Sequence, residues 1–334
     1  MEMPYSSSVL LQKYLDTGDR SILDKVFVHM QGTHAFTRER KQFWRNIQQW
    51  NSELEESEQI RVYGIDIEHQ LVHSAAHLHR LFQQHPLSQL AADPGSTYKF
   101  PHLHTLAGLL ENPQDISYET VHKAEWIETV QLCLKELSAH PRATAEWLGD
   151  ELLGFKLVLQ NILYRYECVE GGTTDKAWNR LRDERIYRNF LTLYSAIPQG
   201  LRFFGQWGLN HVFQQREFDV NWCAARLRHS PDSPVKEEIC SIALMYEQAN
   251  QRSKHDQVTG GFSNYLPISG AFYQAAQWDL TLFSLNKTGS PFRRQPHWML
   301  TTPPPDTGVT TDFFQYAVYV RFSPASRGVR NQFH

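Results

Sequence analysis

Apolar residues recur at helical spacing almost from the first residue. In "SSSVLLQKYLDTG", Val9, Leu10, Leu11, Tyr14 and Leu15 form one side of a predicted helix. The serines offer an N-cap and Gly18 a stop. "SILDKVFVHM" starts a second helix. "TRERKQFWRNIQQWNSELEES" is a third, amphipathic, with Phe43, Ile47 and Trp50 as its predicted buried stripe. The period then changes. "QIRVYGIDIE" is short, apolar and rich in β-branched residues, with Gly64 inside it, and predicts a strand. After it, Leu71, Ala75, Leu78, Leu81 and Phe82 restore the helical period.

Residues 85–118 read as loop with short helices, "ENPQD" among them. Two long helical patterns follow, about 119–138 and about 143–168, and together they predict a helical hairpin. "DKAWNRLRDERIYRNFLTLYSAI" is a further helix leading into a predicted strand at Leu201–Phe204. "HWMLTT" and "FFQYAVYVRFSPAS" are later strand candidates. Strands separated by long helices predict an α/β fold: a central, mostly parallel sheet flanked by helices. The pattern is read as one domain over 1–334, with a helical insertion subdomain over 85–170.

A chain of 334 residues is long enough for a large core. Its formal net charge of −3 supplies no general attraction to nucleic acid or to an anionic membrane, so neither is expected as a partner. Nine tryptophans make an apolar ligand cleft feasible, and the expected partner is a small-molecule substrate or ligand. Cys133, Cys168, Cys223 and Cys240 are scattered with no CxxC pair, which fits reduced thiols and a cytoplasmic location. No apolar run is long enough to span a membrane. The opening residues carry neither the basic nor the apolar region of a signal peptide.

Four histidines crowd "YGIDIEHQLVHSAAHLH", and His69, His73 and His77 stand at i, i+4 and i+8. On a helix the first and third would lie about 12 Å apart along the axis, too far to share one ion. His73 and His77 are therefore expected on a solvated helix face, with no metal and no cofactor. A pair of these histidines joined by Glu68 would be a different site, and it keeps a metal-dependent hydrolase as a third reading. Asp66 closes the predicted strand, with His69 just beyond it. Glu68 is assigned to the opposite side of the extended segment. Ser323 and Ser326 lie in "FSPASRG", with no GxSxG elbow around them.

Seven motifs in order carry a resemblance: "EMPYSSSVLLQKYLDTG", "FWRNIQQWN", "VYGIDIEH", "RDERIYRNF", "FFGQWGLNHVF", "SNYLPISGAFYQ" and "FQYAVYVRFSPASRGV". Together they resemble the erythromycin esterase family, within a wider superfamily of α/β-hydrolase-like proteins. The resemblance implies an ester or lactone hydrolase in which histidine and glutamate activate a water. Its glutamate corresponds to Glu2 and its late histidine to His211. It implies substrate-binding or orienting roles for Asp66, His69, Arg182 and Asp183, with the Arg182–Asp183 pair bridging helix to sheet edge. The family's early histidine and first strand would fall upstream of Met1. On that basis Glu2 is expected to lack anything that fixes its carboxylate, and the chain to be truncated and inactive. The alternative is a non-catalytic small-molecule-binding relative that uses the same cleft.

Overall fold

The protein is described from a computed structural model covering residues 2–31, 33, 35–90, 98–112, 123–198, 200–252, 258–262, 271–294 and 308–329. The "HWMLTT" segment lies outside the described residues, as does most of "SNYLPISGAFYQ".

The helices in chain order are α1 (Tyr5–Thr17), α2 (Arg20–His29), α3 (Arg38–Glu53), α4 (Leu71–Gln84), α5 (Pro101–Leu109) and α6 (Lys123–Ala139). They continue with α7 (Pro141–Leu148), α8 (Glu151–Gly171), α9 (Asp175–Ala196), α10 (Cys223–His229), α11 (Ala271–Ala275) and α12 (Thr310–Phe313). The strands are β1 (Ile242–Tyr246), β2 (Ala249–Arg252), β3 (Val258–Phe262), β4 (Leu280–Ser284) and β5 (Tyr316–Val320). The chain forms two compact units, each assembled from two segments: Met1–Lys13 with Arg61–Phe190, and Tyr14–Ile60 with Leu191–His334.

The first unit is helical. α6 packs between α5 and α8, and α8 also packs on α4. Leu71, Ala75, Leu78 and Leu81 of α4 meet Trp126, Val130, Phe155, Val158 and Ile162 in one core. Burying each large side chain of this kind stabilises by roughly 1.5–3 kcal/mol. The pattern expected as one helix over 143–168 is two. α7 stops at Leu148, Gly149 takes a left-handed φ of +53°, and α8 restarts at Glu151. α5 begins behind Phe100, which has a positive φ of 48° and, as a phenylalanine, no side-chain acceptor to cap the helix. The buried Glu136 of α6 supplies it, accepting from Leu103 N (2.9 Å) and the Tyr98 hydroxyl (2.8 Å).

In the second unit, α2 starts on an Asp19 cap and α3 on a Thr37 cap. The buried face of α3 is Trp44, Ile47 and Asn51, whereas the expected Phe43 and Trp50 are exposed. The face is rotated because Asn51 is needed inside. Its amide donates to Ile60 O and accepts from Ile60 N, both at 2.9 Å. The sheet has the order β1–β5–β4, β1 parallel and β4 antiparallel to β5. Ala243, Met245, Ala317 and Tyr319 point from it into a core with Phe213, Trp222, Phe272, Phe313 and Phe314. β2 and β3 form a separate antiparallel pair.

The architecture is therefore helices with a small mixed sheet, and the expected central, mostly parallel sheet is not what the described residues form. Of the predicted strands, the one ending in "YVRF" is β5. Leu201–Phe204 forms no strand and is exposed, Phe204 to 85%. "QIRVYGIDIE" is extended without a ladder beyond one parallel bridge, Pro4 to Asp66.

Candidate functional site

Side chains take the place of a ladder in the segment leading to Asp66. Val62 N donates to Gln12 Oε1 (2.7 Å), Asp66 N to Met3 O (3.1 Å), and Ile65 O accepts from Asn189 Nδ2 (3.0 Å). These backbone groups find partners without a neighbouring strand. Gly64 is present because the N-terminal segment crosses against it: a Cβ there would sit 2.3 Å from Pro4 O. This approach brings Glu2 to the end of the extended segment.

Four of the expected site residues meet there. Arg182, on α9, donates from Nε to Asp66 Oδ1 (3.0 Å) and from Nη2 to Asp66 Oδ2. The same Nη2 donates to Glu2 Oε1 at 3.0 Å. His69 Nε2 lies 3.1 Å from Asp66 Oδ2, and Asp66 Oδ1 also accepts from Ile67 N (2.8 Å). The Asp66 side chain is 1% exposed, that of Glu2 33% and that of His69 41%. Burial works against a charged Asp66. The Arg182 charge, with hydrogen bonds from His69 and Arg182, outweighs it and holds the carboxyl well below the usual carboxylate range. Contrary to expectation, Glu2 is fixed, because the paired guanidinium it needs is already anchored on Asp66.

Glu68 corrects a second expectation. In an extended chain residues i and i+2 share a side, so Glu68 belongs with Asp66 rather than opposite it. It is completely buried and accepts from Ser6 Oγ (2.9 Å) and Ser6 N (3.4 Å). Glu68 thus serves an N-terminal N–H of α1 in place of the expected serine cap. Burial pushes its pKa up to about 8, aided by the Asp66 charge and opposed by Ser6 and Arg165. The histidine row is not a solvated face either. His77 is buried, edge-on to the Tyr5 ring, with its pKa pushed down to about 3 by burial and then by Arg80. His73 is half-buried, its pKa lowered by burial to about 4. α4 presents Leu71, Ala75 and Leu78 to the core, and His77 lies beside that stripe.

Asp183 is fully buried on α9, one residue beyond Arg182 and about 100° around the helix from it. In the second unit, His211 occupies a single 3₁₀ turn, Leu209–Val212. It is 7% exposed, with the Trp207 and Trp222 rings at 6.0 and 5.6 Å. Among the described residues no group of three or more His, Cys, Asp or Glu is arranged to hold a metal ion. No helix of the described residues is long and apolar enough to cross a membrane. Sequence reasoning missed Ser6, Arg165 and Asn189. A polar side chain on an otherwise apolar helix face, such as Asn189 in "YRNFL", was the available signal.

No protein-family model matches this chain, and neither does any curated protein sequence. Solved structures do. A histidine-to-asparagine mutant of the erythromycin esterase EreC, in its open conformation, aligns with a TM-score of 0.60 over 99% of this chain and 83% of its own. This chain has an erythromycin-esterase-like fold. The identity is 12%. A Bacillus cereus protein aligns with this chain at a TM-score of 0.67 and 16% identity, over 98% of this chain and 81% of its own. A succinoglycan biosynthesis protein aligns at 0.60 and 12% identity, over 98% and 80%. Identities this low establish a shared fold, and the reaction has to be argued from the site.

Proposed function

We propose that this chain is a hydrolase of ester or lactone bonds, in which Glu2 helps to activate a water for attack on a carbonyl carbon, with His211 of the second unit kept as a separate catalytic candidate. The observation that supports this reading best is the state of Glu2. Its carboxylate is held at 3.0 Å by Arg182, which is itself locked to the buried Asp66, yet a third of the side chain remains exposed. A fixed, accessible carboxylate suits the positioning of a water. Asp66, His69, Arg182 and Asp183 hold that constellation in place or contact the substrate. We take the chain as a single erythromycin-esterase-like domain, with 85–170 as a helical insertion, acting in the cytoplasm without a cofactor.

The EreC likeness makes a macrolide lactone the first substrate to test, and its hydrolysis would confer resistance to that antibiotic. Purified protein is incubated with erythromycin and with simple aryl esters, and products are followed by mass spectrometry. Gain of one water is expected, reduced roughly 10²-fold or more in Glu2→Gln. No turnover of any ester would sink the hydrolase reading. A second reading, a non-catalytic binding relative, draws support from His211, which is boxed between two indole rings rather than open to solvent. Ligand binding by calorimetry without turnover would favour it.

A further inference from the structure

The hydrogen-bonded pair of His69 and Asp66 has the arrangement of an acid–base dyad. Asp66 is an anion with no proton to give, so the 3.1 Å contact requires that His69 Nε2 carry the hydrogen and donate it. That leaves Nδ1 with the lone pair. The ring is held at one end by Asp66. Its own backbone carbonyl is held by Arg165 Nη1 at 3.0 Å. With 41% of the side chain exposed, the imidazole is both oriented and accessible. The charges around it come from Asp66, then Arg182 and Glu2 beyond it, Arg165 on α8, and the buried Glu68 next along the chain.

We propose that His69 is the proton-transfer residue of the hydrolytic site, oriented by Asp66, a role that rests on the hydrolase reading above. His69 Nδ1 takes a proton from water as the water oxygen bonds to the carbonyl carbon and the carbonyl π pair moves onto its oxygen. As that pair returns, the bond from carbon to the alkoxy oxygen breaks, and the imidazolium gives its proton to the departing oxygen. One ester and one water become one acid and one alcohol.

The test uses the full chain, with His69→Gln, His69→Ala and, as a control on the same helical region, His79→Gln. Circular dichroism and melting temperature check that each variant is folded. His69→Gln is expected to lower kcat roughly 10²–10⁴-fold. His69→Ala is expected to regain activity with added imidazole, which a purely structural role would not produce. His79→Gln is expected to match the parent. If ester hydrolysis is measurable and abolished by Glu2→Gln yet unchanged in both His69 variants, the dyad is overturned while the hydrolase reading stands. If the parent hydrolyses no ester, both fall.

Discussion

Arg182 is placed between a buried and a part-exposed carboxylate, and its removal would leave Asp66 charged in a dry environment. Truncating one partner of a buried pair costs about 3–5 kcal/mol, far more than the pair contributes net of its own desolvation. Arg182→Gln is therefore expected to lower unfolding free energy by about that amount in urea titrations. A loss below about 1 kcal/mol, the range of exposed pairs, would show that water reaches Asp66. Glu68 gives a prediction in pH. Its folded pKa, about 8, lies above the ordinary value of 4.5, so between those values the folded chain binds a proton that the unfolded chain has released. Stability must then fall as pH rises through that window. His77 and His73 act oppositely: lowered from 6.5 to about 3 and about 4, they make stability rise with pH up to 6.5. The interval from pH 6.5 to 8 isolates Glu68. The melting temperature of the parent should drop across it, and that of Glu68→Gln should drop less; parallel curves would refute the assignment.

At the scale of elements, the helices were legible and most strands were not. Helical spacing in "SSSVLLQKYLDTG" or "LVHSAAHLHRLF" survives any packing because the period belongs to the helix itself. A strand exists only with a partner, and "QIRVYGIDI" found side chains instead: Gln12, Asn51 and Asn189 satisfy groups that a ladder would have used. No local pattern reveals that substitution. Conversely β1 and β4, "IALMY" and "LTLFS", were overlooked, although each alternates inward and outward residues beside β5. The cap of α5 was equally invisible, because Glu136 reaches it from another helix, 33 residues away from Leu103. Glu136→Ala would strand the buried Leu103 N–H. Tyr98 is exposed and its hydroxyl can turn to water, so the cost is that of the one buried donor, Leu103 N–H, and a loss of about 1–3 kcal/mol is expected by chemical denaturation. A loss near zero would mean that water caps this helix.

At the scale of the whole molecule, the resemblance in seven ordered motifs anticipated the erythromycin-esterase-like fold, and the candidate site residues were named one at a time. Glu2, Asp66, His69 and Arg182 are each candidates, but the first and last of them, which meet in space, lie 180 residues apart in sequence. The same fact governs how the first unit folds. Met1–Lys13 belongs with Arg61–Phe190, although 47 residues of the other unit separate the two segments (Tyr14 to Ile60). Those few N-terminal residues supply Ser6 to Glu68, Glu2 to Arg182, Met3 O to Asp66 N and the fully buried Leu11. Without them Glu68 loses both of its Ser6 donors, and the extended segment loses the backbone that Gly64 accommodates. A polypeptide of residues 61–190 alone is thus expected to retain helical circular dichroism but to melt without a cooperative transition. Fusing residues 1–13 ahead of Arg61 through a short Gly/Ser linker is expected to restore cooperativity. A short linker suffices because Gln12 already bonds Val62 N at 2.7 Å, so the two ends are adjacent. Cooperative melting of 61–190 by itself, with native near-ultraviolet signals, would show that the N-terminal segment decorates this unit rather than completing it.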